Sequence, residues 1–326
     1  MKKLSIMLLF IFAKSAFSQT VKPLHFSVIQ QVSTEGLESK NNSYYFSINL
    51  FSGTVKSIKG LEIGSFYNQN NGNMVGAQYS GLVNDTKDSL IGLQVAGLAN
   101  ITGNVIGFQQ AGLYNQAVNV IGLQISGVVN VAQNLRGLQL GGIVNKAKVL
   151  SGLQIGLINL TDSVTKGGAI GLINIVKKNG YREIEISIAD YQNIGISYKS
   201  GIKAIYSIIS AGYNFGNQPL FVSGWGLGSL FELRKQKCFF KPELIGFSYL
   251  DNFTDAQKGA NSVHLRLGLM RKQNKVGISI MPSIYYTKTY QNNQAGLVEL
   301  SPIKPFSRNA KSGFGFGFSL GISILK

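Results

Sequence analysis

The chain has 326 residues, with 31 Lys and Arg against 14 Asp and Glu; its formal charge is +17, yet only 14% of its residues are charged. Charged content well below the roughly 25% of soluble domains, with 39 Gly and a mean hydropathy of +0.12, argues against both disorder and an ordinary soluble enzyme. A single cysteine rules out an intramolecular disulfide framework, and no Cys/His cluster has zinc spacing.

Residues 1–18 read as a secretory signal peptide: Lys2 and Lys3 form the basic start, Leu4 to Ala13 the apolar stretch, and Ala16-Phe17-Ser18 the small-residue cleavage site before Gln19. The apolar stretch is too short to span a bilayer as a helix, which takes about 20 residues. Cleavage removes Lys2, Lys3 and Lys14 and leaves 28 basic against 14 acidic residues, a balance of +14. Export makes nucleic acid a poor partner for this excess, and no Lys/Arg stripe is interleaved with stacking aromatics in a known module. A basic face toward an anionic envelope, or a solvated set of loop lysines, fits better.

Residues 19–59 are expected to hold a few N-terminal strands. From residue 60 to about 180 the chain repeats itself. Gly60, Gly76, Gly92, Gly107, Gly122, Gly137 and Gly152 open similar units at spacings of 16, 16, 15, 15, 15 and 15. The best-formed units read GLQVAGLAN, GLQISGVVN and GLQLGGIVN, and a truncated GLIN follows at Gly171–Asn174. Alternate positions of a strand face opposite sides, so each unit divides into two chemical faces. One carries Gly, Gln, a small residue and Asn: Gln78, Gln94, Gln109, Gln124, Gln139 and Gln154, with Asn84, Asn100, Asn115, Asn130, Asn145 and Asn159. The other varies but stays apolar or small, as in Leu93, Val95, Gly97 and Ala99.

Two architectures accommodate this pattern. A transmembrane β-barrel alternates apolar residues toward lipid with polar or small ones toward the lumen, in strands of about 9 to 11 residues. The aliphatic variable face favours it, as does the scarcity of charge between Ser89 and Leu160, where only Arg136, Lys146 and Lys148 occur. A β-solenoid stacks Gln and Asn inside its coils, and the near-constant spacing favours that alternative. The two assign residues 124 and 125 opposite surroundings: an Arg at Ile125 meets lipid in a barrel, whereas in a solenoid the Arg at Gln124 is the buried one.

Residues 181–326 lose the repeat but keep the alternation. Ser262–Met270 sets Val263, Leu265, Leu267 and Leu269 against His264, Arg266 and Gly268. After Lys272–Lys275, Val276, Ile278, Ile280, Pro282 and Ile284 share one face, a hairpin signature. The last run alternates Phe314, Phe316, Phe318, Leu320, Ile322 and Ile324 with Gly and Ser, as a closing barrel strand does. The pairs Tyr44-Tyr45, Phe239-Phe240 and Tyr285-Tyr286 are candidates for an interfacial aromatic belt.

Tandem GLQxxGLxN units behind a signal peptide resemble a family of bacterial surface-repeat proteins to which no activity is assigned, over Gly60 to Asn174, and the C-terminal half is similar to an outer-membrane β-barrel. The resemblance implies an envelope location and brings no catalytic or ligand residues with it.

Candidate chemistry is sparse. His264 shares a face with Arg266, and a hydroxyl such as Ser279 across the hairpin would complete a base and nucleophile pair. No motif surrounds it, so a lumen histidine is the plainer reading. The glycine runs at 224–228 and 313–317 do not lead from a strand into a helix, as a phosphate loop requires. Cys238 beside Lys237 and Phe239 reads as an inert thiol.

The expected protein is therefore all-β and not an enzyme, with no cofactor or metal. It is either one antiparallel outer-membrane barrel of about 16–18 strands, its Gln and Asn rows facing the lumen, or a solenoid of 15-residue coils followed by a smaller C-terminal barrel. Its role is a passive pore, scaffold or surface display, or alternatively adhesin-like binding by the solenoid. The partners expected are outer-membrane lipid and either small anionic solutes or an extracellular partner, with no nucleic acid.

Overall fold

The computed structural model describes residues 20–215, 220–234, 237–250, 259–290 and 312–325. The segment read as a signal peptide lies outside the described residues. The fold is all-β, and of the two arrangements the solenoid followed by a smaller barrel is the one formed. The repeats coil instead of contributing barrel strands, and the barrel closes with eight strands where a single barrel of 16–18 was the first expectation. The chain divides into two compact units, residues 1–140 and 141–326.

In the first unit, Val83–Ala96, Ala99–Ala111 and Tyr114–Ser126 stack parallel, so that Gly92 lies opposite Gly107 and Gly107 opposite Gly122. Stacking of like on like requires coils of equal length, which is what the constant spacing provides. The stretches between motifs, read as turns, belong to these strands and carry an apolar row: Leu90, Val105, Val120 and Leu135 are all buried. Residues 20–59 form the first coils, with Lys22–Ile29 parallel to Ser43–Asn49 and that strand parallel to Ser57–Gly64. A short antiparallel strand, Val32–Ser33, covers the outer edge and so blocks edge-to-edge pairing.

The opening glycines are dictated by backbone conformation. Gly92, Gly107, Gly122 and Gly137 have φ of 130°, 138°, 137° and 140°, and a Cβ on Gly122 would sit 2.0 Å from the carbonyl oxygen of Gly107. Gly122→Ala therefore combines backbone strain with a clash that only backbone movement relieves. It should lower stability by about 2 to 5 kcal/mol, read as a drop in the urea midpoint; an unchanged midpoint would contradict the stacking.

In the second unit, Val144–Ile155, Ile158–Ile170 and Ile173–Lys178 continue the parallel pattern. The barrel strands are Tyr181–Ala189, Gln192–Ile202, Ile205–Asn214, Leu220–Gly228, Cys238–Leu250, Gly259–Gln273, Val276–Tyr290 and Ser312–Leu325. Each pairs antiparallel with the next, and Ser312–Leu325 returns to Tyr181–Ala189 to close the ring. Exposure alternates along the strands except where the last coil covers Ser200 and Ser207: Ile186 is 55% and Ile278 58% exposed, while Glu185 and Ser279 point inward and are buried. The same alternation splits the aromatic pairs, so Tyr286 faces outward while Tyr285 stacks inside on His264; Tyr44 is buried in the first coils.

The last coil is fastened to the paired strand residues Ser200 and Ser207, in Gln192–Ile202 and Ile205–Asn214. The Asn174 backbone N–H donates to Ser200 Oγ (3.1 Å), and Asn174 Nδ2 donates to Ser207 Oγ (2.8 Å).

Candidate functional site

The polar side chains of this protein are concentrated inside its two architectures. Gln78, Gln94, Gln109, Gln124, Gln139 and Gln154 are completely buried in the coils, as are Asn84, Asn100, Asn115, Asn130, Asn145 and Asn159 to within 1%. Expected to face a wet lumen, they instead fill a dry coil interior, because parallel stacking brings identical residues into hydrogen-bonding distance. Gln94 Nε2 donates to Gln78 Oε1, Gln109 to Gln94, Gln124 to Gln109 and Gln139 to Gln124, at 2.7 to 2.8 Å. Buried amides satisfied in this way incur no desolvation penalty from unmade bonds.

The two rows run in opposite senses. Each Gln donates toward the N-terminus, whereas Asn84 donates to Asn100, Asn100 to Asn115 and Asn115 to Asn130, toward the C-terminus. The second Nδ2 hydrogen of Asn84, Asn100 and Asn115 goes to the backbone carbonyl of Val95, Gln110 and Ile125 respectively, which fixes the amide orientation. Both rows meet at Glu62, the residue in register with Gln78. Glu62 Oε2 accepts from Gln78 Nε2 (2.8 Å) and Asn70 Nδ2 (3.0 Å), and Oε1 from Asn49 Nδ2 (3.1 Å). A carboxylate only accepts, so it sets the direction of the Gln row.

Burial raises the Glu62 pKa to about 6, against the hydrogen bonds that favour the ionised form. The folded state thus keeps a proton that the unfolded chain has already lost, and stability falls as pH rises from about 4.5 through 6, then levels off. At 1.36 kcal/mol per pH unit the loss is about 2 kcal/mol. Urea midpoints at pH 4.5 and 7 should separate wild type from Glu62→Gln, which should lack this loss; equal slopes for the two would refute it.

The barrel interior carries a second network. Lys199 Nζ lies 3.0 Å from Glu185 Oε2 and 2.7 Å from Glu243 Oε1. Lys241 Nζ lies 2.5 Å from Glu183 Oε1 and 3.0 Å from Glu185 Oε2. Arg266 reaches Glu185 at 3.3 Å and Glu243 at 3.5 Å, and Ser279 Oγ donates to Glu185 Oε2 (3.2 Å). Three acids and three bases balance, with exposure no greater than 2% for any side chain. Tyr206 donates to Glu243 Oε1 (2.9 Å), and Phe247, Tyr249 and Met270 belong with it to one buried apolar cluster. Eight strands leave an interior just wide enough for side chains, and these side chains occupy it.

Sequence reasoning missed Glu62 and the five charges other than Arg266. The barrel signal was present in Tyr181–Ala189, where Glu183, Glu185 and Ser187 alternate with Ile184, Ile186 and Ile188. Only the closed ring shows that Lys199, Lys241 and Glu243 meet them.

His264 does not meet Ser279. The hairpin register sets His264 opposite Tyr285 and Ser279 opposite Met270. His264 Nε2 instead lies 2.8 Å from Ser262 Oγ, its ring between Tyr191, Phe247 and Tyr285. Among the described residues no three His, Cys, Asp or Glu side chains converge as a metal site, and no helix is long and apolar enough to cross a membrane. The chain matches no protein-family model, no curated protein and no solved structure.

Proposed function

We propose that this is an exported protein whose eight-stranded barrel sits in the outer membrane and holds the solenoid there as a scaffold or binding module. The observation that carries the reading is the reversal of sides in the barrel: aliphatic residues outward on successive strands, ion pairs and hydroxyls inward, which is the arrangement of a barrel in lipid. Conduction of small anionic solutes is disfavoured by the same interior, where a balanced ion-pair network and packed aromatics occupy the lumen.

Connection lengths support an orientation. The connections 203–204, 229–237 and 274–275 lie at the end where the chain enters the barrel, and 190–191, 215–219, 251–258 and 291–311 join strands at the opposite end, so each end has a two-residue turn but the longest connection, 291–311, is at the opposite end. Outer-membrane barrels keep short turns on the periplasmic side and long loops outside. The last coil, fastened to Ser200 and Ser207 on the strand ends nearer the 203–204 turn, then belongs to the periplasmic side, which favours a partner within the envelope over an extracellular one.

Expression in a Gram-negative host tests the reading. The protein should stay with the outer-membrane fraction through urea extraction, show heat-modifiable gel migration, and give no channel events in a planar bilayer. Release into the soluble fraction with no mobility shift would reject the anchor, and steady channel events would restore the pore.

A further inference from the structure

We infer that the coils between Lys59 and Leu140 carry a second lipid-contacting surface, a flat aliphatic face that rests on an anionic phospholipid leaflet. The inference depends on the anchor proposed above, since the barrel is what brings the chain to a bilayer. It starts from the coil cross-section. With Gln, Asn and one apolar row turned inward, the opposite side of the GLQ strand is left outward, and in-register pairing gathers it into columns. Lys59, Val75, Ile91, Ile106 and Ile121 form one such column, each opposite the next. Ile91, Ile106 and Ile121 are 47%, 49% and 49% exposed. Two further columns run beside it, through Leu93 and Phe108 and through Val95 and Ile125.

At about 4.8 Å per coil and 3.3 Å per residue the face measures roughly 25 by 20 Å. Contiguous apolar surface of this size marks a docking site in a folded protein. Its chemistry selects the occupant. Protein interfaces spend about one hydrogen bond per 100–200 Å². This face has Gln110 as its one amide and Tyr79 as its one hydroxyl, with Phe108 in the middle column, and its backbone groups are already used within the sheet. The columns contain no acid: Glu62 points inward, Asp85 is buried, and the exposed Asp88 lies three residues before Ile91, outside them. The charges on it are Lys59 and Arg136, both exposed, at the two ends of the isoleucine column. Long basic side chains at the margin of an aliphatic face reach anionic headgroups while their stems stay on apolar surface. Lipid demands no hydrogen bonds, and this surface offers almost none.

The test uses the full chain with Cys238→Ser, reconstituted in nanodiscs of phosphatidylethanolamine and phosphatidylglycerol with brominated acyl chains. A bimane label is placed in turn at Ile106→Cys on the proposed face, at Gln133→Cys on an exposed polar position outside it, and at Leu267→Cys on the barrel exterior. The Leu267 and Ile106 labels should each lose about half their emission to the brominated chains, while the Gln133 label keeps its emission and is quenched by aqueous iodide. Quenching at Leu267 with an Ile106 label that behaves like Gln133 would overturn the lipid face and leave the anchor standing. No quenching at Leu267 would sink the anchor and this inference with it. An Ile106 label shielded from both quenchers, with Ile106→Cys cross-linking between chains, would assign the face to a second copy and overturn the proposal.

Discussion

Gln124→Arg is expected to prevent folding of the coil it sits in, while Ile125→Arg, one residue away, should fold normally. Gln124 is completely buried and donates to Gln109 while accepting from Gln139. An arginine there breaks both bonds and places a buried charge without a counter-ion between the amides of Gln109 and Gln139, at a cost of about 3 to 5 kcal/mol. Ile125 points away from the coil interior, and a surface change of this kind stays within about 1 kcal/mol. Protease resistance and yield in the membrane fraction measure the difference. If Ile125→Arg proved the more damaging change, the polar rows would be facing water and the solenoid would be the wrong description of these repeats.

Loss of Glu185 should be the most harmful single change in the barrel. Its two oxygens lie within 3.3 Å of Lys199, Lys241 and Arg266, so Glu185→Gln leaves three buried cations facing two acids. Removing one member of a buried ion cluster typically costs about 3 to 5 kcal/mol, because the remaining charge is uncompensated. The heat-modified gel transition should move to lower temperature, and Glu185→Gln with Lys241→Met should recover part of the loss by restoring the balance. A single variant melting with wild type, or a double variant weaker than the sum of its parts, would show that the network is not mutually supporting.

The strand content and the two-faced pattern were legible in the residues themselves. Leu265 and Leu267 against His264 and Arg266 predicted a two-faced hairpin, and the structure forms it with Asn274 and Lys275 at the turn. The architecture of the repeats was ambiguous for a physical reason: a membrane barrel and this solenoid are both polar inside and aliphatic outside, so composition by face cannot separate them. Equal spacing was the discriminating feature, since stacked coils need it and a meander does not. The buried row of Leu90, Val105 and Val120 was hidden because it falls two residues before each glycine, in stretches whose neighbours Asp88, Asn104 and Asn119 read as turns. Glu62 was hidden as an isolated acid in an imperfect first repeat. Its role depends on Gln78 and Asn70, which only the coiled chain brings to it.

The opposed donor directions of the Asn and Gln rows make length a modular quantity. The coils from Gln94 to Gln124 and from Asn84 to Asn115 each give one amide bond in each direction and take one from each, so they are interchangeable; the ends differ, with Glu62 starting the Gln row, Ala169 standing opposite Gln154 where that row stops, and Ser207 ending the Asn row. Excision of residues 107–121, one whole 15-residue period, would rejoin Ile106 to Gly122 and return like to like in every row, whereas removal of a single residue would turn Gln outward and Ile inward in the coil it touched. The solenoid is thus a ruler graduated in coils of about 4.8 Å, which gene duplication or loss can lengthen or shorten without redesigning either end.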